Sequence, residues 1–269
     1  MINIEQISNS VPRSDDEYLG QDGLLYCRNC GDALELIIEV PIVGKKKVRC
    51  ICSCMKKARD EAEEKSKREE LDRNRRICFG GSALMGCTFE KSEETEHLKM
   101  AKNYVRHFDD FKSQGKGLLL YGTVGTGKSH MAACIANDLI DEGFKVLMTN
   151  FATMVNILQS SFEGRQEYIN SLNRYTLLII DDLGAERKSD YMQEQVFNII
   201  DARCRSGLPM IITSNLTMTE LTEPTDIMCQ RIYDRILERC HPVEVLGASR
   251  RITKGRTDYK QTKMLLKGD

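Results

Sequence analysis

The residues 122–129, Gly122-Thr123-Val124-Gly125-Thr126-Gly127-Lys128-Ser129, fit the pattern G-x-x-x-x-G-K-[ST]. Glycines at this spacing let the backbone curl so that several N–H groups point inward at one phosphate. Lys128 then reaches the outer phosphates, and the Ser129 hydroxyl takes a place on Mg²⁺. A second group of residues suits the same chemistry. Leu177-Leu178-Ile179-Ile180 runs straight into Asp181-Asp182. A carboxylate at a strand end holds Mg²⁺ through water, and its neighbour polarises an attacking water. Thr213-Ser214-Asn215 closes a further apolar run and offers an amide beside the γ-phosphate.

A third group is of cysteines. Cys27-Arg28-Asn29-Cys30-Gly31 is a knuckle closed by glycine, and Cys50, Cys52 and Cys54 follow in the pattern C-x-C-x-C. Four thiolates close a tetrahedral Zn²⁺ site, and a small hairpin with little core needs such a staple. Cys27, Cys30, Cys52 and Cys54 are the favoured ligands. Cys50 is the alternative ligand, because in an extended strand Cys50, Cys52 and Cys54 share a face.

The elements that position these groups follow from apolar periodicity. Residues 117–121 read as a short buried strand before the glycine loop. Met131, Ile135 and Leu139 then recur at helical spacing until Gly143. Strand, loop and helix put a polyphosphate at a helix N-terminus, where the dipole favours anions. Further strands are expected at 145–150, 177–182, 209–215 and 243–246. Helices are expected at 93–111, 151–162, 191–205 and 227–238. This alternation predicts an α/β fold with a parallel sheet flanked by helices. Upstream, residues 1–20 read as a weakly ordered arm. Residues 34–40 and 46–51 read as a hairpin turning at 43–45, and the pattern resembles a zinc ribbon. Residues 55–76 are almost wholly charged. Glu61/Lys65, Glu63/Lys67, Glu64/Arg68 and Glu69/Arg73 stand acid-before-base at i,i+4, which supports a solvated helix. That helix marks a boundary between a module at 1–76 and a domain at 77–269.

The 269 residues suffice for one large domain and a small module. A net charge of −1 argues against wholesale nucleic-acid binding and leaves only local patches, such as the acid-free stretch 45–59. The apolar runs are too short to cross a bilayer, so no membrane association is expected. Eleven cysteines beside a nucleotide motif point to reduced thiols and the cytoplasm. Cys78, Cys87, Cys134, Cys204, Cys229 and Cys240 are expected to pack as small apolar groups.

The ordered set then resembles a known family. It comprises Gly-Thr-Gly-Lys-Ser-His at 125–130, Leu-Ile-Ile-Asp-Asp-Leu-Gly-Ala-Glu at 178–186, Thr-Ser-Asn-Leu at 213–216, Arg-Ile-Tyr-Asp-Arg-Ile at 231–236 and Gly-Ala-Ser-Arg-Arg at 247–251. It resembles the AAA+ ATPases of the DnaC type, bacterial and phage loaders of replicative DNA helicase, over roughly residues 77–257. Thr88-Phe89-Glu90 resembles their entry into the ATPase core. The resemblance implies a P-loop core without a large lid, preceded by a zinc module. It implies residues 122–130, His130 included, around ATP, with Ser129 and Asp181 toward Mg²⁺. Asp182 matches the catalytic acid, which in many AAA+ proteins is Glu. The shorter side chain suits slow, switch-like hydrolysis. Asn215 matches sensor 1, Arg251 sensor 2, and Arg235 the arginine finger that reaches a neighbouring subunit's ATP, with Arg231 as its rival. The partners implied are the hexameric replicative helicase, single-stranded DNA and further copies of the chain. The alternative is an IstB-like helper of a transposase, which shares nearly the same core.

Overall fold

The computed structural model describes residues 14–41, 44–160, 164–184 and 190–249, with positions 259, 262, 263 and 266. It divides into two units, Met1–Glu70 and Leu71–Asp269.

In the first unit, strand β1 (Glu17–Leu19) pairs antiparallel with β2 (Leu25–Cys27). The expected weakly ordered arm therefore gives way to a strand from Glu17. The Gly20 N–H bonded to the Leu24 carbonyl closes the intervening turn. Strands β3 (Glu35–Val40) and β4 (Gly44–Arg49) form a second hairpin, registered from Glu35↔Arg49 to Val40↔Gly44. Position 43 of the expected turn lies outside the described residues. Because this hairpin has two strands and no covering layer among the described residues, Leu36, Ile37 and Ile38 are exposed there. The buried centre consists of Leu25, Leu34, Cys27 and Cys52, with Cys54 against it.

Two expectations fail here. The second strand stops at Arg49, and Cys54 lies in the first turn of helix α1 (Ser53–Phe79), so Cys50, Cys52 and Cys54 do not share one strand. The reason is a side chain 21 residues upstream: Asp32 Oδ2 accepts the Ser53 N–H at 2.7 Å and starts the helix early. The i,i+4 ion pairs of α1 are Lys57–Glu61, Arg59–Glu63 and Lys65–Glu69. Each runs base-before-acid, opposite to the expected order. All are exposed and worth little.

In the second unit the end of α1 buries Cys78 and Phe79. Gly80 and Gly81, both at positive φ, stop the helix. A short 3₁₀ turn (Ala83–Gly86) leads to α2 (Glu96–Arg106) and α3 (Phe108–Ser113). The single helix expected at 93–111 is thus split. His107 leaves helical geometry at φ −108° and ψ 23°. Both pieces keep the expected apolar face of Leu98, Ala101, Val105 and Phe108 inward.

There follow β5 (Gly117–Tyr121), α4 (Lys128–Asp141), β6 (Val146–Asn150), α5 (Phe151–Ser160), α6 (Arg165–Leu172) and β7 (Leu177–Leu183). Then come α7 (Asp190–Ser206), β8 (Met210–Ser214), α8 (Met218–Thr222), α9 (Ile227–Arg239) and β9 (Cys240–Glu244). The five strands described here order as β6-β7-β8-β5-β9, and every pair is parallel. Period-two alternation feeds two cores. Leu118, Leu120, Leu177, Ile179 and Ile211 pack with α2 and α4 on one face. Leu119, Leu178, Ile180, Met210 and Ile212 pack with α5, α7 and α9 on the other. The last strand begins three residues before the expected 243. Pro242 disfavours a strand in the sequence, but an edge position tolerates it.

One buried charge serves this frame. The Arg203 guanidinium, 1% exposed, donates to the carbonyls of Leu172, Tyr175, Thr176 and Pro209. It ties the approach to β7 to the approach to β8. Burial lowers its pKa to about 10, which still leaves it charged at neutral pH.

Candidate nucleotide site and cysteine cluster

The glycine loop leaves the C-terminal end of β5 and enters α4 at Lys128, as the spacing requires. Gly122, Gly125 and Gly127 have φ of 135°, 86° and 104°, a region that costs a side chain strain. Gly125 has a second reason to be glycine. A Cβ there would stand 2.2 Å from Ser249 Oγ, so residue 249 lies against the loop. Thr126 Oγ1 donates to the Thr123 carbonyl and tightens the turn. Lys128 is buried, and its ammonium donates to the carbonyls of Gly122 and Thr123 at 2.8 Å each.

Opposite the loop, β7 ends in an irregularity. Ile180 pairs with Ile212 and Leu183 with Ser214, so Asp181 and Asp182 together face Thr213. The extra residue puts Asp182 at φ 65°. This is a bulge at a sheet's ligand edge. Asn215 Nδ2 donates to Asp182 Oδ1 at 2.8 Å. Together Lys128, Ser129, His130, Asp181, Asp182, Thr213 and Asn215 line one cleft of about 470 Å³, with Val124, Gly125, Gly127 and Leu84. A narrower recess shares Gly127 and His130 with it and adds Thr95, His97, Leu98 and Val245. The charge inventory suits a polyphosphate with a divalent cation: one ammonium on the loop side and two carboxylates facing it. A larger cleft of about 540 Å³ beside α2, α3 and β9 is walled mainly by Met100, Tyr104, Phe111, Leu118 and Val243. Its apolar floor suits no phosphate.

Two residues of the cleft, and one that bonds a cleft histidine, escaped the sequence reading. Leu84 comes from the 3₁₀ turn, and nothing in its neighbourhood signals a site. Thr213 sits in the Thr-Ser-Asn run, where only the amide stood out. Ser92 Oγ lies 2.7 Å from His130 Nε2 and also donates to the Thr88 carbonyl. Its one proton goes to that carbonyl, so the His130 Nε2 must carry the hydrogen of the other contact. This fixes the tautomer of a cleft histidine.

The arginines lie elsewhere. Arg235 is half exposed on α9, with Nη1 3.0 Å from Glu238 and Nε 3.4 Å from Asp201. It does not line its own cleft. The Arg231 guanidinium sits over the Phe197 ring at 4.4 Å. Arg251 lies outside the described residues.

In the first unit the sulfurs of Cys27, Cys30, Cys52 and Cys54 all lie within 4.8 Å of one another. The distances Cys27–Cys54 and Cys52–Cys54 are 3.6 and 3.2 Å. Sulfurs tetrahedral about Zn²⁺ stand about 3.8 Å apart, so this donor set fits the ion. Backbone N–H groups of Asp32 and Cys54 aim at Cys30 and lower its thiol to about 6. Crowding by the thiols of Cys52, Cys27 and Cys30 pushes Cys54 upward. Cys50 is not in the cluster; its thiol meets the Ala33 carbonyl at 3.1 Å.

The model of one protein family, described as IstB-like ATP binding protein, matches residues 87–258. Among curated proteins the chain is 28% identical over 186 residues to the replicative helicase loader DnaI of Bacillus subtilis, covering 62% of this chain and 59% of that protein. It is 30% identical over 159 residues to the replicative helicase loader DnaC of Escherichia coli, covering 56% and 62%. The chain thus spans about three fifths of the length of these relatives. The crystal structure of DnaI superposes with a TM-score of 0.55 at 24% identity over 66% of this chain and 99% of that one. That of the DnaC helicase loader gives 0.52 at 19% identity over 62% and 100%. These two likenesses show a shared fold. No helix among the described residues is long and apolar enough to cross a membrane.

Proposed function

This chain belongs to the family of IstB-like ATP-binding proteins, and from that premise we propose that it loads a hexameric replicative helicase onto DNA, with ATP as its switch. The observation that carries the reading is the single cleft shared by Lys128, Ser129, Asp181, Asp182 and Asn215. The names of the curated relatives supply the partner. Residues 122–130 would hold ATP. Ser129 and Asp181 would hold Mg²⁺, which supplies charge neutralisation between the phosphates. Asp182 takes the proton of the attacking water, and Asn215 orients Asp182. A short acid held by one amide suits slow hydrolysis. Arg251 is the sensor 2 candidate on family pattern alone.

The module at 1–76 takes the helicase, and the domain at 77–269 takes ATP and single-stranded DNA. Exposed Leu36, Ile37 and Ile38 beside Lys45, Lys46 and Lys47 support a docking role for the hairpin. Cys27, Cys30, Cys52 and Cys54 would hold one Zn²⁺ in that module. The place of action on this reading is the cytoplasm. The test measures retention of the source organism's replicative helicase on labelled single-stranded DNA. ATP should raise it, and Lys128→Ala should abolish the rise. The family's description also keeps open a transposase helper. Retention of a transposase and not of the helicase would favour that reading.

Arg235 acts in trans on this view, leaving its contacts with Asp201 and Glu238 to meet a neighbour's phosphates. An arginine supplied across an interface raises the rate strongly, by about 10³-fold or more. Mixing Arg235→Ala subunits with Lys128→Ala subunits should recover hydrolysis that neither variant shows alone. Full activity of Arg235→Ala by itself would exclude the role and turn attention to Arg231.

A further inference from the structure

We infer that Thr213 is the positioning residue of the two carboxylates, a role that rests on the ATP-site reading of the cleft. Its hydroxyl makes two bonds of opposite sense. It accepts the backbone N–H of Asp182 at 2.9 Å and donates to Asp181 Oδ1 at 2.6 Å. A backbone N–H only donates and an ionised carboxylate only accepts, so the hydroxyl receives the first bond and gives its one proton to the second. One oxygen of Asp181 is thereby occupied, and the other is left to face the cation. The same hydroxyl holds the N–H of the residue at φ 65°.

The bulge explains why a side chain is needed. Two residues of β7 face one of β8, so the backbone of β8 cannot satisfy both. Side chains of β8 replace the missing ladder bonds. Ser214 Oγ donates to the Leu183 carbonyl and accepts the Leu216 N–H on the far side of the bulge. Thr213 does the equivalent on the near side, where the chemistry is. It is 2% exposed, so in the intact site these groups are satisfied by the hydroxyl and not by solvent. Ser214 therefore closes the strand, whereas Thr213 couples the aim of the metal carboxylate to the backbone of the water-facing one.

Thr213→Val keeps the shape and removes both bonds. In the full chain it should leave Mg²⁺-free ATP binding within about twofold. It should raise the Mg²⁺ concentration for half-maximal hydrolysis by about tenfold and lower turnover by a similar factor, the usual size of an outer-shell loss. Thr213→Ser should restore both, because it keeps the hydroxyl. Thr213→Ala removes the hydroxyl without adding bulk and carries the same expectation as valine. A valine variant with the parent's Mg²⁺ requirement and turnover would overturn the inference. So would failure of both the valine and alanine variants to fold, since the hydroxyl would then be a structural requirement. Lys128→Ala separates the two layers of argument. If it binds ATP normally, the site reading fails. If it loses ATP while Thr213→Val behaves as the parent, only the role of Thr213 fails.

Discussion

Asp182→Asn will keep ATP bound and lower its hydrolysis by about 100-fold or more, the usual contribution of a positioned general base. The substitution removes the group that accepts the proton and little else. Asparagine is nearly the same size, and its oxygen can still accept the Asn215 Nδ2 hydrogen now bonded to Asp182 at 2.8 Å. It also tolerates the backbone at φ 65°, which few side chains do. Loss of turnover therefore reports chemistry and not unfolding. Nucleotide binding by a fluorescent analogue and single-turnover hydrolysis check the two halves. Normal hydrolysis in the variant would mean that the water is polarised by another group.

Removal of zinc should have the largest effect on stability, and it should be confined to the first unit. The purified chain should carry one zinc. The buried centre of that unit is Leu25 and Leu34 with three cysteines, so the ligands are most of the core. A structural zinc site of this kind contributes on the order of 10 kcal/mol, far beyond what two leucines bury. A strong chelator, or Cys52→Ser, should release amide-exchange protection in residues 14–70 while ATP binding persists. Cys50→Ala should retain the metal, because its thiol bonds Ala33 and not the cluster. Lower pH should displace the ion, since protons compete for the same thiolates. A folded, metal-free preparation that takes up no zinc defeats the assignment.

Much of this site was legible because its parts are local. The glycine loop, the apolar run into Asp181-Asp182 and the cysteine knuckle each lie within a few residues. Their spacing carries the chemistry. The inner strands β5, β7 and β8 were visible for the same reason, since a buried parallel strand is a short apolar run, whereas the edge strand β9, Cys-His-Pro-Val-Glu, is not one and its start was missed. What stayed hidden depends on partners distant in the chain. The bulge at Asp181 and Asp182 is set by the register of β7 against β8, and Thr213 matters only because of it. Ser92 meets His130 across the fold. Position 107 looks helical until the α2–α3 corner is built. The cysteine strand was misread because Asp32, a loop residue, starts α1 beneath it. Long, exposed side chains choose partners freely, so the pairing direction along α1 had no strong determinant.

The left-handed backbone at Asp182 also bears on how such a site can drift through generations. Aspartate and asparagine visit this region because a short polar side chain can bond locally; glutamate lacks that recourse. A mutation to glutamate lengthens the acid by one methylene. Here it would meet a backbone that disfavours it and an Asn215 set for a shorter reach. A longer acid here thus needs the bulge to be rebuilt in β7 and β8 together. A chain with this bulge is held to a short acid at position 182, so a single substitution there cannot lengthen the reach without strain.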